Sequence, residues 1–133
     1  MGQRIDRLEL LAIALGGALG ALGRVALSRA FPAAPGSWPW VTFAINLSGA
    51  LALGYLVTRL QERLPLSTLR RPLLATGLCG AFTTFSTVQL EALRMIDGHH
   101  DGLAAGYLAA SIAGGYALVL LASAAVRRVR VLA

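Results

Sequence analysis

The fold class this sequence predicts is an all-α membrane protein, and three observations predict it. The 133-residue chain is 56% hydrophobic, with a mean hydropathy of +0.68 and only 14% charged residues; an ordinary soluble domain carries roughly a quarter. Four runs, at about 8–27, 40–60, 73–96 and 103–126, each approach the ~20 predominantly apolar residues needed to cross a ~30 Å hydrocarbon core. The connections AFPAAPGSWPW, QERLPLSTLRRP and DGHHDG are short. Residues 1–133 are therefore read as a single four-helix transmembrane domain, with no room for a soluble catalytic domain and no expectation of an enzyme.

The first span, LELLAIALGGALGALG, follows a basic start such as a signal peptide also has. Its apolar run is continuous with small-residue packing spacing, so it is taken as a membrane helix. Asp6 stands where a myristoylation signal carries Ser or Thr. Helices in lipid associate through small residues that let backbones approach closely, and Gly16, Gly20 and Gly23 lie on one face with Arg24, whose guanidinium is expected to snorkel to the headgroups. Phe31, Trp38 and Trp40 read as interfacial anchors.

In the second span Thr42, Asn46 and Gly49 form a small, polar stripe. Asn46 lies about two turns inside the helix, where an unpaired amide costs several kcal/mol; it must face a polar partner or a watery path. The third span carries GLCGAFTTFSTV at 77–88. Glycine weakens a helix by about 1 kcal/mol per residue, and Ser and Thr side chains satisfy backbone groups freed from the helical ladder. Gly77 and Gly80 followed by Thr83, Thr84, Ser86 and Thr87 therefore predict a helix broken near the bilayer midplane, the way many channels and transporters build ion sites. In the fourth span Gly106, Ala110 and Gly114 make one ridge, and Tyr107, Ser111 and Gly115 the next.

All 12 basic residues are arginine. Four spans put both termini and the second loop on one side, with Arg4, Arg7, Arg59, Arg63, Arg70, Arg71, Arg127, Arg128 and Arg130, against Arg24, Arg29 and Arg94 on the other. That bias places the termini in the cytoplasm and explains the net charge of +6 without a nucleic-acid partner, for which no basic stripe with interleaved aromatics is present. Cys79 is the only cysteine, so no intrachain disulfide is possible. His99 and His100, beside Asp97 and Asp101, read as a solvated turn.

No carboxylate lies mid-membrane: Glu9 starts the first span, Glu62 is in a loop and Glu91 follows the hydroxyl cluster by about two turns. Proton relays and organic-cation sites usually need one. Neutral donors (Asn46, Thr84, Ser86, Thr87, Tyr107, Ser111) and the positive ring edges of Phe82 and Phe85 suit a small anion. Carbonyls freed around Gly80 and Thr83 suit a small hard cation.

GLCGAFTTFST in the third span, AINLSGALALG in the second and GGALGALGR in the first resemble the four-helix fluoride channels of the CrcB/Fluc family, and the resemblance extends over the whole chain in length, span order and motif position. It implies an antiparallel dimer with two fluoride pores and a structural sodium ion held by carbonyls of the two broken third helices, here Gly80 and Thr83. It implies Asn46 as the pore amide, Phe85 as a pore phenylalanine, hydroxyls from Ser86 and Thr87, and Tyr107 and Ser111 along a polar track. Arg24 and Glu91 match family positions. The expected protein is a passive fluoride channel of the inner cell membrane, surrounded by lipid. Two departures stand out: Val88 occupies the position of a second pore phenylalanine, and Gly115 that of a fourth-helix serine. An antiparallel homodimer requires dual topology with balanced arginines, so the bias and Val88 together raise a heterodimer with an oppositely oriented partner. A small multidrug transporter is a second alternative, without the first-helix glutamate among aromatics that it requires. A non-transporting subunit is a third.

Overall fold

The computed structural model describes residues 6–62 and 69–128; Arg4, Arg63 and Arg130, used above for orientation, lie outside them. The described residues contain helices and no strand. Helix α1 is Arg7–Ala30 and α2 is Trp40–Glu62. The third span begins as a π-helical stretch, Arg71–Cys79, and continues through one α-helical turn, Gly80–Phe82, the two together being α3. Helix α4 is Phe85–Asp97 and α5 is Asp101–Arg128.

Four stretches are long and apolar enough to cross a membrane: Arg7–Ala30, Trp40–Leu60, Arg71–Asp97 and Asp101–Arg128. Three of them start or end beyond the apolar runs, because polar residues continue the helical backbone. Asp6, for example, starts α1 by accepting the Leu8 N–H at 2.9 Å, which satisfies a donor the helix leaves unpaired.

Close approach of backbones sets the packing. A Cβ on Gly16 would overlap the Leu73 carbonyl and one on Gly20 the Leu78 carbonyl, while one on Gly77 would lie 2.6 Å from the Ile13 carbonyl. These glycines seat α1 directly on α3. Helix α2 runs along α5 in the same manner: a Cβ on Gly54 would come within 2.9 Å of Val119 Cα, and Thr58 Oγ1 donates to Ser123 Oγ at 2.9 Å. After residue 84 the chain leaves α1, and α4 packs on α5 through Val88, Met95, Ala104 and Tyr107, with Trp38 and Phe43 against them.

Two residues expected at the membrane interface, Trp38 and Arg24, are placed differently. Trp38 packs edge-on against Phe43 and Tyr107 with centroids 5.4 and 5.5 Å apart, so it belongs to the protein interior, while Trp40 and Phe31 stay exposed. Arg24 is part-buried, and its Nε donates to the Ala81 carbonyl at 3.1 Å, giving the guanidinium a backbone partner where snorkelling alone was anticipated.

Candidate functional site

The site grows from two residues. Thr83 (φ −75°, ψ 154°) and Thr84 (φ −147°, ψ 119°) have extended backbone between α3 and α4. An extended pair inside a span strands the last carbonyls of one helix and the first N–H groups of the next, and each such group needs a partner away from water.

Neighbouring residues supply several. The Thr83 N–H and hydroxyl both donate to the Cys79 carbonyl, at 3.1 and 3.0 Å. Asn46 spans the Thr84 residue: its Nδ2 donates to the Thr84 carbonyl at 3.0 Å, and its Oδ1 accepts the Thr84 N–H at 2.8 Å. Thr84 then caps α4, its Oγ1 accepting the Thr87 N–H at 3.2 Å and lying 3.0 Å from Thr87 Oγ1 and 3.3 Å from Ser86 Oγ. One turn along α2 from Asn46, Gly49 makes room for the Thr83 methyl, which any Cβ there would overlap. The polar stripe of α2 is thus the surface against which the third span opens.

Beside the break lies a groove of about 250 Å³ lined by Asn46, Thr83, Thr84, Phe85, Val88, Leu108, Ser111 and Ile112. Phe85 is 71% exposed at its edge and Val88 forms its buried wall. Ser111 Oγ is buried and has no hydrogen-bond partner among the described residues. The second Nδ2 hydrogen of Asn46 also has none. The positive end of the α4 dipole begins at Phe85, so this groove presents donors and positive potential to its contents.

A second polar group adjoins the break. Glu91 accepts the Thr42 hydroxyl on Oε1 at 2.6 Å and the Tyr107 hydroxyl on Oε2 at 2.7 Å. Thr42, Thr87 and Glu91 border a cavity of about 70 Å³. On the loop side, Glu91 and Arg94 face the 31–39 connection across a cavity of about 560 Å³.

Of the residues predicted from sequence, Asn46, Thr83, Thr84, Phe85, Val88 and Ser111 meet in one groove. Ser86 is exposed beside it. Tyr107 is fully buried and turned to Glu91, outside that lining. Phe82 faces the opposite side, where its ring would lie 3.7 Å from a Cβ on Gly23 of α1, and lines a separate cleft with Phe31, Trp40 and Ser48; the extended pair between them turns it away from Phe85. Gly80 is exposed, with open space where a side chain would be. Sequence reasoning missed Thr42 as the partner of Glu91, although its place one turn before Asn46 on the same stripe was the available signal.

The family described as "CrcB-like protein, Camphor Resistance (CrcB)" matches residues 11–123. The chain is 58% identical to "Fluoride-specific ion channel FluC 1" of Mycolicibacterium paratuberculosis over 126 residues, covering 95% of this chain and 96% of the relative. It is 56% identical to a protein of the same description from Mycobacterium bovis, with the same coverage, and 42% identical to "Fluoride-specific ion channel FluC 2" of Nocardia farcinica, covering 92% of this chain and 88% of the relative.

Proposed function

The chain belongs to the CrcB family of multi-pass membrane proteins, and from that premise we propose that it is a passive, fluoride-selective channel. The observation that carries the reading is the groove in which a buried, unpartnered Ser111 hydroxyl, the free Nδ2 hydrogen of Asn46 and the Phe85 ring gather at the positive end of α4. Fluoride, small and strongly hydrated, exchanges water for hydroxyl, amide and ring-edge hydrogens. Ser86 and Thr87 add hydroxyls next to Phe85, and Tyr107 continues the track along α5 with its hydroxyl committed to Glu91. Val88 offers no ring edge, so Phe85 and Ser111 carry more of the dehydration in this chain than they do where a second phenylalanine is present.

The groove is open on a single chain, with Phe85 and Ile112 both 71% exposed. A second copy is what encloses it, and the proposed unit is an antiparallel dimer in the inner cell membrane. The end of α3 faces outward beside this groove. Among the described residues the carbonyls of Gly80 and Thr83 receive no hydrogen bond outside the helices, and oxygen ligands of this kind fit a small hard cation. These two carbonyls would hold the structural sodium ion, which neutralises the negative end of α3 where two copies meet.

Hydrogen fluoride crosses membranes as a neutral acid and ionises in the cytoplasm. A passive anion path lets the membrane potential, worth ~2.3 kcal/mol per charge per 100 mV, drive fluoride back out and lower its toxicity. In cells deprived of their own fluoride export, this chain is expected to restore growth in millimolar fluoride. Membrane-inserted protein that leaves them as sensitive as before would overturn the reading. The heterodimer is the second reading, favoured by the nine-to-three arginine bias. Labelling of the loops from both sides of the membrane, in cells expressing this chain alone, decides between them.

A further inference from the structure

A continuous α-helix through residues 80–87 would send the Thr84 N–H to the Gly80 carbonyl and the Thr87 N–H to the Thr83 carbonyl. Neither bond forms. The first N–H goes to Asn46 Oδ1 at 2.8 Å and the second to Thr84 Oγ1 at 3.2 Å. Of the four carbonyls from Gly80 to Thr83, that of Ala81 is taken by Arg24; the others receive no hydrogen bond outside the helices among the described residues. Asn46 cannot turn over without setting its amide against the Thr84 N–H and its oxygen against the Thr84 carbonyl. Its orientation is therefore fixed by the peptide groups it holds, which use two of its four hydrogen-bonding positions.

We infer that Asn46 and the Thr84 hydroxyl are positioning residues for the cation site, diverting the two N–H groups that would otherwise occupy the Gly80 and Thr83 carbonyls. The inference rests on the channel reading above and extends it. The same diversion separates a carbonyl-rich end of α3 from an N–H-rich end of α4, so one pair of side chains prepares the cation ligands and the anion groove together. A structural glue would hold α2 to the third span without freeing any particular carbonyl.

The test is sodium uptake by the purified full chain in detergent, without fluoride, read as the rise in thermal unfolding midpoint while sodium replaces N-methyl-D-glucamine at constant ionic strength. Wild type and Thr84→Ser, which keeps the hydroxyl, should reach half-saturation at similar sodium. Thr84→Val and Asn46→Ala should need at least about tenfold more. Half-saturation unchanged in Thr84→Val, or no sodium response in wild type, overturns the inference; should Asn46→Ala fail to fold, the Thr84 pair decides alone. Fluoride conduction by a sodium-indifferent protein would overturn this inference and leave the channel reading standing, whereas sodium uptake by a protein that passes no fluoride would overturn the channel reading.

Discussion

Along α1 the first half of the third span is held by backbone against backbone; along α2 its break is held by hydrogen bonds. Both seams use small residues at helical spacing, Gly16 and Gly20 in one, Asn46 and Gly49 in the other. The α1 seam is close-packed, with the Leu73, Leu78 and Ile13 carbonyls lying where Cβ atoms on Gly16, Gly20 and Gly77 would be. The α2 seam leaves a groove, a free Ser111 hydroxyl and uncovered carbonyls. In lipid, where packing and interhelical hydrogen bonds join helices, the first seam is built by shape complementarity and the second leaves polar groups beside a groove.

The comparison breaks most readily on the α1 side. Gly20→Val puts a side chain into the Leu78 carbonyl, and no relaxation of a flexible neighbour relieves a clash with backbone. The expected outcome is loss of the monodisperse peak in detergent chromatography; a well-folded variant would show that this seam is not close-packed. Next in size is Glu91→Gln. It turns an amide donor toward one of two hydroxyls that now donate to a carboxylate, and hydrogen bonds to charged groups contribute about 1.5–3 kcal/mol. A drop of about 2 kcal/mol in unfolding free energy is expected, and an unchanged value would mean that the pair contributes little.

Phe85→Ala sharpens the comparison on the other side. The ring is 71% exposed on one chain, so monomer packing should be indifferent while fluoride flux falls about tenfold, a barrier change of ~1.4 kcal/mol. Loss of folding with loss of flux would move Phe85 from the groove to the core. The smallest effect is expected from Thr58→Val on the α2–α5 interface. It removes one 2.9 Å hydrogen bond to Ser123, of a kind that averages ~0.6 kcal/mol in membrane proteins. A shift in the unfolding transition several times larger would reveal coupling along α2 to the break.

Much of this was legible in the sequence because composition and spacing respond to lipid directly. Four apolar runs gave the four spans, and glycines at helical spacing gave the α1 seam. The hydroxyl cluster at 83–87 and the depth of Asn46 pointed to the region of the groove, because uncompensated polarity in hydrocarbon is costly. Other features were hidden because they depend on direction. The extended Thr83–Thr84 pair reorients α4 relative to α3, which separates Phe85 from Phe82 and brings Glu91 to Thr42 and Tyr107. Helical spacing holds only within a helix, so residues on either side of a break cannot be assigned to one face by counting. Trp38 was missed for a related reason: the turn before α2 brings it inward onto Tyr107, while Trp40, two residues on, stays outside.

The measurement closest to the central claim is fluoride release, followed with a fluoride-selective electrode, from liposomes holding only this purified chain, with chloride release measured in parallel. Rapid fluoride efflux with chloride retained is expected. Chloride leaving as fast as fluoride, or fluoride leaving no faster than from protein-free liposomes both with this chain alone and after co-reconstitution with an oppositely oriented family member, would contradict it.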